Sequence, residues 1–187
     1  MTKPSQKNIL IGIFCVFLLI FIAYLPALQN DFVNWDDDAH LFQNQFIQSF
    51  NVQDIFTTTV NRTYIPLTSL SFAIEYYFFG EDPFVYHFNN VLLHLLVTGF
   101  VFQFGLRIGL SLTASTVGAL IFGLHPMHVE SVAWVTERKD VLYAFFYMLA
   151  LLCYCSYVSS LATKRKGILL VATMVLGVLS ALAKPMA

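Results

Sequence analysis

Most of the chemistry-bearing side chains of this 187-residue sequence fall in three short stretches. The first is Asn34-Trp35-Asp36-Asp37-Asp38-Ala39-His40, where three like charges adjoin just beyond an apolar run. Such crowding can poise one carboxylate as a general base. Asp36 with Asp38 could equally clamp a divalent cation through hard oxygen ligands. A solvated acidic loop that helps fix topology is the plainer alternative. The second stretch runs from His125 through Asp140 and holds His125, His128, Glu130 and the cluster Glu137-Arg138-Lys139-Asp140. Its histidine spacing matches no standard zinc pattern. Arg138 and Lys139 suit a phosphate or a lipid headgroup, with Glu137 and Asp140 holding them in place. A juxtamembrane charge cluster that merely anchors the following helix is the other reading. The third is His87, Asn90 and His94, spaced i, i+3 and i+7 on one helical face. Polar groups at membrane depth rarely face lipid, so this face points into a bundle, for interhelical hydrogen bonding or to line a cavity.

The elements that must position these groups are membrane helices. Hydrophobic residues make up 58% of the chain and charged ones 11%, with a mean hydropathy of +0.70. A soluble domain carries about 25% charged residues because its surface faces water. The net charge of −1 leaves no basic footprint for nucleic acid. Cys15, Cys153 and Cys155 all lie in apolar runs and read as buried thiols, not as a disulfide framework. The fold class expected is an all-α polytopic membrane protein, a single module over 1–187.

A bilayer core about 30 Å thick needs roughly 20 apolar residues of helix. Five runs approach this, at about 9–28, 84–106, 110–125, 141–158 and 168–183. The first reads as an uncleaved anchor, since its apolar core exceeds that of a signal peptide and no cleavage site follows. The segments 29–83 and 126–140 then form outer loops. Within the first loop, Pro66–Phe79 is an apolar helix ended by Gly80 and fits an interfacial or re-entrant element. Phe46, Phe50, Ile55 and Phe56 suggest an amphipathic surface helix over 45–60. Asn61-Arg62-Thr63 matches the glycosylation sequon, a weak signal.

With the N-terminus in the cytoplasm, Lys3, Lys7, Arg107, Lys164, Arg165 and Lys166 fall inside. All eleven acids fall outside, with Arg62, Arg138, Lys139 and Lys184. The six-to-four split of basic residues gives modest support from the positive-inside rule. The segregation of acids lies outside that rule and points to work for carboxylates on the outer face. A small transporter would place ionisable groups at mid-membrane and show repeated halves, and neither pattern is present.

An ordered series of motifs carries a family resemblance. It comprises Asn34-Trp35-Asp36-Asp37, then Tyr64-Ile65-Pro66-Leu67-Thr68-Ser69-Leu70-Ser71-Phe72, then Tyr86-His87 with Asn90 and His94. It continues through Leu124-His125-Pro126-Met127-His128-Val129-Glu130-Ser131-Val132-Ala133-Trp134, Glu137-Arg138-Lys139-Asp140 and Ala183-Lys184-Pro185-Met186. The series resembles the N-terminal membrane part of bacterial tetratricopeptide-repeat glycosyltransferases of the GT-C superfamily. Their animal relatives are the transmembrane O-mannosyltransferases that act on cadherins.

The resemblance implies a partial GT-C fold in a bacterial cytoplasmic membrane, or in the endoplasmic reticulum if the source is eukaryotic. It implies an inverting transferase that uses a polyprenyl-phosphate sugar, often mannose, and an acceptor hydroxyl, on protein, at the outer face. Asp36 or Asp37 would take the acceptor proton, and Arg138 with Lys139 would offset charge on the departing phosphate. Glu137, Asp140, His87, His94 and His128 would support them. A metal requirement stays open, with Asp38 beside Asp36 as the candidate ligands. The chain stops at Ala187, without the further spans and repeats of the family. It is therefore expected to be a fragment, a truncated product or half of a split protein, and to fall short of an active enzyme alone. A non-catalytic membrane subunit that binds a lipid or protein partner is the alternative.

Overall fold

A computed structural model describes residues 5–185, so Lys3 and Met186 lie outside the described part. Helices account for 79% of the residues. Among the described residues the sole β pairing is a bridge between Val60 and Thr63. In chain order the helices are α1 (Gln6–Tyr24), α2 (Gln45–Gln48), α3 (Val52–Thr57), α4 (Pro66–Phe79), α5 (Pro83–Arg107), α6 (Leu112–Gly123), α7 (Val129–Ala133), α8 (Arg138–Ser159) and α9 (Thr163–Ala183). Short 3-10 turns lie at Leu25–Gln29 and Pro126–His128, and a π-helical turn lies at Asp38–Phe42.

Among the described residues four helices are each long and apolar enough to cross a membrane: α1 with its 3-10 extension, α5, α8 and α9. The chain is an all-α polytopic membrane protein. Its outward apolar side chains suit lipid: Leu10, Phe14 and Leu18 on α1, and Ile168, Val171 and Met174 on α9, are all exposed.

The run expected as a span over 110–125 is the first part of a bent helix pair, which together is apolar enough to be a fifth span or a re-entrant loop. Helix α6 has 12 residues, and the chain bends by 49° before continuing through the Pro126 turn into α7. Proline disfavours helical geometry in the residue before it, and His125 is extended at φ −65° and ψ 128°. The amphipathic helix expected over 45–60 is likewise two short helices. Phe50 breaks it at a positive φ of 52°, and Ile47 and Ile55 are buried inside the protein.

Two apolar cores result. Val16, Ile20 and Tyr24 of α1 pack with Val91 and Phe102 of α5, Ala119 of α6 and Val141 of α8. Leu41, Ile47 and Ile55 pack with Phe72 of α4, Tyr86 of α5 and Val135, so the long first loop has a core of its own. Helices α5 and α6 approach closely at Gly105, where an added Cβ would lie 2.9 Å from Ser115 Oγ and 3.4 Å from its Cα. Small residues allow this closeness, which is how membrane helices gain contact without a hydrophobic drive. Helices α8 and α9 form an antiparallel hairpin in which Ser180 Oγ donates to the Tyr143 carbonyl at 3.0 Å.

Candidate functional site

The polar groups gather at the end of the bundle where α1 and α6 finish and α5 and α8 begin. Helix α5 starts sharply, with Asp82 accepting from the Phe84 amide at 3.1 Å and Pro83 at its first position. This start sets the register that buries His87, Asn90 and His94 together, at 2%, 0% and 2% exposure.

Asp37 is buried and nearly saturated. Its Oδ1 accepts from Trp134 Nε1 at 3.0 Å, from the Thr136 amide at 3.1 Å and from Thr136 Oγ1; its Oδ2 accepts from the Val33 amide at 3.0 Å. The carboxylate thus ties the first loop to the segment between α7 and α8. Asp36 is half-buried and accepts one long hydrogen bond, from Asn61 Nδ2 at 3.3 Å. Asn61 lies in a tight turn with Arg62, both at positive φ, closed by the Val60–Thr63 bridge. Asp38, also half-buried, opens the π-helical turn. Among the described residues no three His, Cys, Asp or Glu side chains are grouped to hold a metal ion.

His40 lies in the π-helical turn, and its imidazole is held below its ordinary value of 6.5. Burial is the main cause and the Lys139 ammonium the next, opposed by Asp36 and Asp37. Lys139 itself is held by Glu137 Oε1 at 2.7 Å.

Arg138 points the other way, into the protein, and is 1% exposed. Its Nη1 lies 2.5 Å from Glu75 Oε1 on α4. Its Nε donates to Asn90 Oδ1 at 2.7 Å and its Nη2 to the Tyr86 carbonyl at 2.8 Å, with the guanidinium 4.6 Å over the Phe72 ring. Asn90 in turn donates to the Trp134 carbonyl at 3.1 Å, and Asn89 donates to Glu75 Oε1 at 2.6 Å. Burial pushes the Glu75 carboxyl up, and Arg138 and Asn89 pull it back. In this arrangement the guanidinium offers no face to an external phosphate and instead joins α4, α5 and α8.

Asp140 holds Lys184 in an ion pair and accepts from Ser131 Oγ at 3.0 Å. His94 Nε2 donates to the Gly123 carbonyl at 2.9 Å, closing the C-terminal end of α6. His128 lies 5.7 Å from His94, ring to ring. Together with Lys184, Asp140, His94 and His128 line a cavity of about 410 Å³, with Val97 and Val141 as its apolar wall. His87 lines another of about 410 Å³, with Asp31, Asp37, Glu130 and Trp134. Helix α7 stands between the two: Ser131 and Val132 face the first, Glu130 and Ala133 the second.

Sequence reasoning missed the roles of four contributors, Glu75, Trp134, Thr136 and Lys184. Glu75 was legible as the lone charge of an apolar helix, although its partner was not. Trp134 and Thr136 gave no signal beyond their motif, because their link to Asp37 spans up to 99 residues of sequence. Lys184 was legible as the lone cation after the last apolar run.

A bundle of apolar helices with carboxylates, two lysines and two cavities at one end defines a polytopic membrane protein with a candidate polar site. Over 150 residues the chain is 33% identical to protein O-mannosyl-transferase tmtc2 of Xenopus laevis, a match covering 74% of this chain and 18% of that protein. Over 152 residues it is 35% identical to the Homo sapiens protein O-mannosyl-transferase TMTC2, covering 73% and 18%. Over 159 residues it is 33% identical to Homo sapiens TMTC4, covering 72% and 21%. The chain is thus related to the protein O-mannosyl-transferases over about 70% of its length, and it spans about a fifth of the length of these curated relatives. No protein-family model matches it, and no solved structure does.

Proposed function

We propose that this chain is the acidic-loop module of a membrane glycosyltransferase of the GT-C type, with tetratricopeptide repeats elsewhere in such proteins. It moves mannose from a polyprenyl-phosphate donor to an acceptor hydroxyl on protein. The reading takes the loop-bearing face as the outer one and the N-terminus as cytoplasmic. Its relatives' names support the sugar and the acceptor class. The single observation that carries the mechanism is the division of labour between the paired aspartates. Asp37 spends its carboxylate on Trp134, Thr136 and Val33, which fixes the loop. Asp36, with one long contact, keeps lone pairs free for a proton.

In this mechanism the Asp36 carboxylate removes the proton of the acceptor hydroxyl. The acceptor oxygen bonds to the anomeric carbon from the face opposite the phosphate. The bond from that carbon to the phosphate oxygen breaks, and the lipid phosphate leaves with the electron pair. Lys139 offsets the charge that grows on the leaving phosphate. Arg138 acts through position: it holds α8 against α4 and α5 so that Lys139 faces the loop.

The test is Asp36→Asn in the full gene product, assayed in membranes with radiolabelled polyprenyl-phosphate mannose. Transfer to protein falls by at least about 100-fold, the scale of general-base loss, with membrane insertion unchanged. Transfer at the wild-type rate would overturn the assignment and favour a non-catalytic subunit.

A further inference from the structure

We propose, independently of the transferase reading, that the end of the bundle opposite the acidic loop holds phospholipids whose headgroups carry net negative charge. Every acid of the chain lies within 31–82 or 130–140. Helix α5, with 25 residues, leads away from that end by roughly 37 Å. At the far end Arg107 closes α5, while Lys164, Arg165 and Lys166 lie in the first turn of α9 and Lys7 in the first turn of α1. The side chains join these ends into one rim. Arg107 Nη1 donates to the Leu152 carbonyl at 3.2 Å and to Ser156 Oγ, both on α8. Lys166 Nζ lies 5.9 Å from the centre of the Tyr157 ring, also on α8. Among the described residues none of these five cations enters an ion pair. Lys7, Arg107, Lys164 and Arg165 are exposed and Lys166 is half-buried.

A basic rim on one side of a membrane follows from insertion alone. The apolar side chains set among its cations do not. Leu161, just before the α9 cluster, is 98% exposed, and Ile108 and Val158 are exposed at 56% and 61%. At the boundary between headgroups and acyl chains such side chains enter the apolar layer, while the stems of lysine and arginine carry their charges up to the phosphates. Tyr154 on α8 is also exposed, and tyrosine rings settle at headgroup depth. A soluble phosphate would engage the cations and leave Leu161 and Ile108 in water, so their presence selects a lipid. A zwitterionic headgroup offers the rim no net charge, whereas an anionic one does.

The full chain is reconstituted in phosphatidylcholine vesicles at low salt, with a trace of spin-labelled phosphatidylglycerol or spin-labelled phosphatidylcholine. Electron spin resonance reads the fraction of each label slowed against the protein. The phosphatidylglycerol label is expected to associate about 5-fold more strongly, the contribution of a single cation at such a surface. Lys164→Gln, Arg165→Gln and Lys166→Gln together bring this ratio below about 2-fold. Arg62→Gln, which removes an exposed cation of the first loop, leaves it unchanged. Where the triple variant does not insert, Arg165→Gln alone is measured and roughly halves the ratio. Equal association of both labels with the wild-type chain, or a preference that survives the neutralised cluster, would overturn the site. Loss of the preference in inorganic phosphate, but not in chloride of equal ionic strength, would assign the cluster to a soluble anion and overturn the lipid.

Discussion

At the scale of single residues, two buried charges define the acidic end, and each is held by partners far along the chain. Arg138 and Glu75 meet 2.5 Å apart in an environment that excludes water. Removing one member of such a pair leaves the other as a buried, uncompensated charge, which costs about 3–5 kcal/mol. Glu75→Ala is therefore expected to lower stability by that amount, read as a loss of thermal stability in detergent. A conservative Glu75→Gln should lose less, since its amide still accepts from Arg138. His40 gives a pH dependence of definite sign. Its folded-state pKa lies below the ordinary 6.5 because of burial and Lys139, despite Asp36 and Asp37. The unfolded chain thus takes up a proton that the folded chain resists. The stability contributed by neutral His40 is full above pH 6.5 and is lost as the pH falls from there towards the folded value. Protease sensitivity of the first loop should rise over that interval, and His40→Asn should flatten the profile.

At the scale of elements, packing depends on small residues as much as on large ones. Gly105 lets α5 lie against Ser115 of α6. A branched side chain there meets backbone as well as hydroxyl, so the helices must part. Gly105→Val is expected to cost about 1–3 kcal/mol, the usual range for overpacking. The check is unfolding in detergent compared with Gly118→Val, where nothing lies within 4 Å and little change is expected. Proline sets the other element-level feature. Pro126 ends the α6 direction and turns the chain by 49°, so that α7 can wall off two cavities. That partition follows from one residue whose effect on backbone geometry is local and whose consequence is not.

For the whole molecule, composition and hydropathy made the helical membrane architecture legible, because apolar runs of span length have few other uses. Residue spacing made the buried face of α5 legible, since His87, Asn90 and His94 share one side of any helix. The same logic failed where a side chain's direction depends on distant partners. Arg138 lies in a run of charges that reads as a surface cluster, yet its acceptors lie on α4 and α5. Asp140 read as a holder of that cluster and instead holds Lys184. Asp36 and Asp37 are identical in type and adjacent in sequence, so only the fold separates a tied carboxylate from a free one.

The buried guanidinium also bears on how the chain is made. A lone Arg138 entering a bilayer would be costly. Its acceptors, Glu75, Tyr86 and Asn90, all precede it in the sequence and so leave the ribosome first. When the N-terminal end of α8 emerges, a receptor of the right charge and shape can already be waiting. The order of synthesis thus matches the order of electrostatic need. A circularly permuted gene that delivers Arg138 before Glu75 would present the charge to lipid alone.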